Sequence, residues 1–267
     1  FNHWGNVNDL AVVDNLVFVA TSISGLQIVD VSDPGNIEVV GFWDDNSGIA
    51  KGLAISNNLL YLSDSSGGLQ IVDISNPESP SFVSSCATPS HAMDVCVAGD
   101  LAFIADLENG LQVVNITDPE NPEILSSLNT PGEARGITVS GGYVYIADDY
   151  RGVQIINVNV PGNPVLTGSF NTDGFARNVV ISEERAFVAD NSDLVILDIA
   201  DPGNPQQLST LNCGAWDVFV SDEIAYVSRG GVKIIDISDP ENPQLLNRCE
   251  TNRNTSTIFV SENFAYL

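Results

Sequence analysis

The ten residues GLQIVDVSDP at 25–34 return along the chain as GLQIVDISNP, GLQVVNITDP, GVQIINVNVP, DLVILDIADP and GVKIIDISDP. Their closing prolines, Pro34, Pro77, Pro119, Pro161, Pro202 and Pro240, stand 43, 42, 42, 41 and 38 residues apart. One structural unit is therefore repeated along the whole chain, at a period that belongs to solenoids, propellers and arrays.

Each period holds four β-rich runs separated by turn signals; the third reads AMDVCVAG, LAFIAD, GLQVVNITDP and NPEILSSL. A four-stranded antiparallel meander of this length is a propeller blade, so the expected fold is an all-β propeller. The second runs, such as LVFVA, AFIAD and VYIAD, are almost continuously apolar, as strands covered on both faces by neighbouring blades should be. The fourth runs, such as PVLTGSF, are more polar and suit an outer edge facing water. Between third and fourth runs, Ser-Asp-Pro-Glu-Asn-Pro reads as a hairpin connection. Pro fixes φ and lacks an N–H, while Asp and Asn bond their own backbone.

The first runs DLAVV, GLAIS, MDVCV, GITVS, NVVIS, DVFVS and TIFVS have seven second-run followers but only six third and fourth runs. Blades are expected at about 6–45, 49–87, 91–130, 133–171, 175–212 and 214–250, with a partial blade at 255–267. This phase fits a seven-bladed ring closed by strands from both termini, with eight blades as the alternative. The missing half-blade is then expected upstream of Phe1, downstream of Leu267, or both.

Against 35 acidic side chains stand nine basic ones, for a net charge of −26, which repels nucleic acid and anionic membrane surfaces. No apolar run approaches the length of a membrane span, so direct membrane insertion is not expected. Cys86, Cys96, Cys213 and Cys249 fall at repeat positions that separate inner from outer strands, and free, buried thiols are expected. With only His3 and His91 and no CxxC pair, zinc has no ligand set and no cofactor is expected.

The L-x-I-V-D core followed by S-D-P-x-N-P, preceded by the Ala-Asp pair of the second strand, resembles the LVIVD-repeat β-propellers of bacterial and archaeal cell-surface proteins. The resemblance spans residues 6–267 and implies an extracellular or cell-surface interaction module, without catalytic residues to carry over. Val160 departs from the usual Asp, and the sixth unit is shortened after AYVSRGG, so altered loops are expected there.

Propellers place function at the mouth of the central channel. The positions just before each first strand read Asn8, Lys51, Met93, Arg135, Arg177, Trp216 and Ser256, so three of the nine basic side chains share one ring. Two roles are open to Lys51, Arg135 and Arg177. In one, Arg forks engage a carboxylate, a sulfate or an acidic glycan while Trp216 offers a stacking face. In the other, which the sequence favours, the arginines are struts locked to the acids of the second-to-third-strand loops, Asp64, Asp106, Asp148 and Asp190, with Asp94 and Asp217 on the inner ring. Calcium is a weaker candidate: DDNSG, DDYRG and DNSD supply oxygens, but none has the spacing of a dedicated loop.

Three functions follow. The first is a noncatalytic recognition or scaffold module that binds a protein or glycan on the loop face, through Lys51, Arg135, Arg177, Trp216, Asp106, Asp148 and Asp190. The second is a propeller hydrolase or lyase acting on an acidic sugar or ester, with Arg135 and Arg177 holding the substrate and His91 or a channel Asp as base. The third is an architectural spacer within a longer surface protein.

Overall fold

The computed structural model describes residues 5–22, 24–44, 48–251, 255–261 and 264–267. It is an all-β propeller, and the described residues contain no helix and hence none long and apolar enough to cross a membrane. Each blade is an antiparallel meander whose strands pair in chain order from the centre outwards. Blade 3 shows the pattern: Asp94–Ala98 innermost, then Leu101–Ala105, Leu111–Asn115 and Glu123–Leu128. In blade 5 the second and third strands are continuous as Arg185–Asp198.

The innermost strands are Val7–Val13, Ala50–Ser56, Asp94–Ala98, Gly136–Ser140, Asn178–Ser182, Asp217–Ser221 and Phe259–Ser261. Each lies against the next, and Phe259–Ser261 lies against both Asp217–Ser221 and Val7–Val13, so seven blade positions form a closed circuit. The seventh position holds two strands, Phe259–Ser261 and Phe264–Tyr266. Phe259 stacks obliquely on Phe219 of blade 6, with centroids 4.9 Å apart, and packs with Tyr266 on the Leu10, Val17 and Val19 cluster of blade 1. Closure covers the apolar faces that blades 1 and 6 would otherwise leave open.

The core lies between blades. Second and third strands such as LAFIA and LQVVN are buried except at the paired ends Leu101 and Asn115, and each face sets a small residue beside a large one, Ala102 with Ile104 and Ala105 with Phe103, so that facing sheets interdigitate. Outer strands are largely exposed.

The repeated motif has two structural jobs. Its closing Asp or Asn accepts the amide two residues on, as Asp30 does from Ser32 and Asp73 from Ser75, which turns the chain out of the third strand. Its proline then docks on the preceding blade. Every complete outer strand carries a bulge, and the residue beside it is Gly41, Ser84, Ser126, Gly168, Ser209 or Asn247. The Ser84, Ser126 and Ser209 hydroxyls donate to the Pro119, Pro161 and Pro240 carbonyls at 2.5, 2.5 and 2.6 Å. At Gly41 and Gly168 a Cβ would overlap the Pro77 and Pro202 carbonyls. The Asp-Pro turn is thus a contact between blades as well as a hairpin.

All four cysteines are unpaired, but only Cys86 is buried as expected; Cys96 and Cys213 are half-buried, and Cys249 is exposed because the outer strand of blade 6 is open to solvent along its length.

Candidate functional site

At equivalent positions at the start of the inner strands stand Asp9, Gly52, Asp94, Gly136, Asn178, Asp217 and Thr257, with Asp or Asn alternating with glycine as far as Asn178. Geometry explains the alternation. Asp94 accepts its own blade's Val95 amide at 2.8 Å and, through its other oxygen, the Ile137 amide of the next blade at 2.9 Å. Asp9 does the same with Leu10 and Leu53, and Asp217 with Val218 and Ile258. Thr257 adds a hydroxyl donor to Asp217, and the Asn178 amide donates to its other oxygen. Glycine follows because the chain passes close by: a Cβ at Gly136 would stand 2.6 Å from the Arg177 carbonyl oxygen and 2.9 Å from the Asn178 Cα.

These carboxyls rivet inner strands together around the channel, where burial and mutual repulsion disfavour their charge. Burial first, then the Asp94 charge, raises Asp9 well above the ordinary range. Burial pushes Asp94 up to about 7 despite its two amide donors, and burial also raises Asp217.

Above this ring opens a cavity of about 450 Å³, lined by all seven mouth residues read from the sequence: Asn8, Lys51, Met93, Arg135, Arg177, Trp216 and Ser256. Arg135 is held by Glu133 at 2.6 Å, and its Nε lies 3.1 Å from Asp149 at an angle short of a hydrogen bond. Arg177 has no carboxylate within ion-pair distance among the described residues. Its guanidinium carbon lies 5.8 Å from the centroid of the Trp216 ring, and that of Arg229 lies 5.7 Å from it. The Trp216 Nε1 donates to Asn191 at 3.0 Å. Burial, followed by the nearby Arg135 charge, lowers the pKa of Arg177. An exposed guanidinium at a cavity mouth, without a carboxylate in ion-pair distance, is suited to an incoming anion.

The acids of the second-to-third-strand loops stand apart from this cavity. Asp148 accepts the Thr130 hydroxyl at 2.6 Å and the Gly132 amide at 2.9 Å; Asp106 accepts from the Ser90 amide and Asp190 from the Gly174 amide. Each fastens the loop that enters its blade. Asp64 accepts from Ser66 and Gly67 within its own loop. Burial raises Asp106 and Asp148 and pushes Asp190 up to about 6. The arginines are therefore not locked to Asp64, Asp106, Asp148 or Asp190; Arg135 uses Glu133 and Asp149 instead.

His91 is exposed, and the nearby acids are engaged elsewhere, Asp94 with two amides and Asp106 with Ser90. Of the oxygen-rich loops, residues 45–47 of DDNSG lie outside the described residues, as does His3. Among the described residues no three His, Cys, Asp or Glu side chains gather so as to hold a metal ion. Asp9, Asn178 and Arg229 were not singled out from sequence, although the acid and glycine alternation one residue beyond the mouth ring carried the signal for the first two.

Comparison with known structures places the fold. The chain superimposes on a periplasmic gluconolactonase of Pseudomonas aeruginosa with a TM-score of 0.75 at 15% identity, covering 92% of this chain and 85% of that one. The Cps50 (Swd1) β-propeller domain of Myceliophteria thermophila gives 0.77 at 12% identity, covering 95% and 89%, and the computationally designed protein Ika8 gives 0.74 at 13%, covering 97% and 79%. At these identities the likeness is one of fold. A search of curated proteins finds no match. The LVIVD repeat model matches residues 4–45, 47–88, 89–130, 131–172, 173–212 and 214–251. With six consecutive matches spanning most of its length, the chain belongs to the LVIVD-repeat family.

Proposed function

We propose that this propeller is a noncatalytic recognition module, working outside the cell or at its surface, that binds an acidic group of a glycan or protein at the channel mouth. The observation that carries this reading is the distribution of charge. In a chain of net charge −26, Lys51, Arg135 and Arg177 line one cavity, and Arg177 meets no carboxylate there. The carboxyls beneath them are occupied with backbone amides that hold the ring, so they serve structure rather than acid–base chemistry. Around His91, the residue that suggested a base, neither nearby acid is free to orient it: His91 is exposed, and Asp94 and Asp106 accept backbone amides. The negative remainder of the surface supports the same reading: it disfavours nucleic acid and anionic membranes and leaves anion binding to the places where cations cluster.

A screen of glycans and small anions, run beside an Arg135→Ala, Arg177→Ala double variant of matched stability, tests this. The expected result is binding of an acidic ligand that weakens at least tenfold in the variant and falls with ionic strength. Turnover of an acidic sugar or ester, lost on replacing His91, would overturn it.

A further inference from the structure

Blade 6 departs from the repeat at two positions that meet on one side of the structure. Where blades 2 to 5 end the second strand in Asp64, Asp106, Asp148 and Asp190, blade 6 has Ser228. Where the third strands of blades 1 to 4 carry Gln27, Gln70, Gln112 and Gln154, blade 5 has Val195 and blade 6 has Lys233. Those glutamines cap their own loops: the amides of Gln70, Gln112 and Gln154 donate to carbonyls three residues earlier at 2.9, 3.1 and 3.0 Å. The Lys233 ammonium takes over this job, donating to the Arg229 carbonyl at 2.5 Å and the Gly214 carbonyl at 3.1 Å. An uncharged amide would suffice for that. The exchange removes a negative charge and adds a positive one in the same loop.

Lys233 is only 4% exposed, and it opens onto a cavity of about 450 Å³ on the outer side of the seam between blades 5 and 6. Arg229, Arg248, Cys213, Asn212 and Ser192 line the same cavity. Three of the chain's nine basic side chains thus share it. Among the described residues no carboxylate lies within ion-pair distance of Lys233 or Arg229, and Glu250 meets Arg248 only at 3.7 Å across solvent. Asp193 acts on the Cys213 thiol without pairing with the cations. Burial first, opposed by Cys213 and reinforced by the like charges of Arg248 and Arg229, lowers the pKa of Lys233, and among the described residues the cluster's one ion pair is the exposed contact of Arg248 with Glu250. With an ammonium proton to spare beyond two carbonyls, and an Arg fork opposite, the vacancy fits an oxyanion.

We propose that this seam cavity is a second binding site, separate from the channel mouth, for a sulfate or phosphate group held by Lys233 and Arg248. Arg229 shapes its inner wall, anchored by its hydrogen bond to the Asn191 carbonyl and its contact with Trp216. The cavity is large enough for the anion and part of whatever bears it.

The test is calorimetric titration of the purified chain with sodium sulfate, sodium phosphate and a monosaccharide sulfate ester, each against chloride at equal ionic strength. The variants are Lys233→Gln, which restores the residue of blades 1 to 4, Arg248→Gln, whose exposed side chain can be removed without disturbing the core, and Arg185→Gln as a control at a basic side chain that lines neither cavity. The expected result is binding weakened at least tenfold in the first two and unchanged in the third. Tighter binding of the ester than of free sulfate supports the site with the anion pendant on a sugar; equal binding supports it with the free ion. In a Cys249→Ser background the bound anion should slow Cys213 alkylation, and Lys233→Gln should abolish that protection. Absence of binding by all three probes, or an equal loss in the Arg185→Gln control, overturns the proposal, whereas the channel-mouth reading stands or falls on its own variants.

Discussion

Raising the pH from 5 to 8.5 should destabilise this propeller, through the carboxyls that rivet the inner strands. Asp94 is pushed up from 3.8 to about 7, with Asp9 and Asp217 raised beside it. Between those values the folded chain binds more protons than the unfolded chain, so stability is fully present below pH 4 and is lost as pH climbs through 7. At about 1.4 kcal/mol per pH unit, the two units between pH 5 and 7 make Asp94 alone worth up to about 3 kcal/mol of lost stability by pH 8.5. Channel water that reaches part of the carboxyl lowers that ceiling. The exposed turn caps Asp30, Asp73 and Asp236 have lowered pKa values, act in the opposite sense, and do so only below pH 4, outside this window. Denaturant unfolding at pH 5, 6, 7 and 8.5 measures the slope, and Asp94→Asn tests its source. Asn fits because Asn178 already occupies the equivalent place and accepts the Val179 amide. The variant should flatten the profile by about one proton while losing some stability at pH 5. Stability that stays level or rises to pH 8.5, or an unchanged slope in Asp94→Asn, would refute the reasoning.

Three further perturbations probe the seams. Gly136→Ala forces a methyl against the Arg177 and Asn178 backbone and should cost about 1–3 kcal/mol in thermal or denaturant melts, whereas Gly162→Ala, with nothing within 4 Å, should be close to neutral. Ser126→Ala removes the hydroxyl bound to the Pro161 carbonyl and should cost about 1 kcal/mol; no change would mean that the docked proline, not the hydrogen bond, holds that seam. Phe259→Ala empties the contact joining blade 6 to blade 1 and should cost about 3 kcal/mol, with faster hydrogen exchange in Val7–Val13.

Periodicity made the blades, their strand order and the seven-position ring legible, because burial between blades leaves apolar second strands and Asp-Pro turns at fixed intervals. The mouth ring was legible for the same reason, since equivalent positions face one cavity. What the sequence withheld was direction. Asp106, Asp148 and Asp190 sit one loop from the channel, but each turns towards amides and hydroxyls of the loop entering its own blade. Asp94 and Asp217 read as ring acids, yet their bridging to the next blade depends on glycines or Thr257 some 40 residues away. Arg229 looked like part of a short turn, and only folding brings it to Trp216 beside Arg177. The proline marker read as a hairpin stop, while its contact with the preceding blade depends on bulges that spacing does not reveal.

The most direct test of anion recognition at the channel mouth is Trp216 emission during titration with an acidic oligosaccharide such as oligogalacturonate. Trp216 lines the cavity and touches both Arg177 and Arg229, whereas Trp43 stacks on Phe82 between outer strands. The account predicts a saturable change that a neutral oligosaccharide does not produce, that weakens with salt, and that disappears in Trp216→Phe and in the Arg135→Ala, Arg177→Ala variant. Saturable binding that leaves Trp216 emission unchanged and survives in the arginine variant would contradict it.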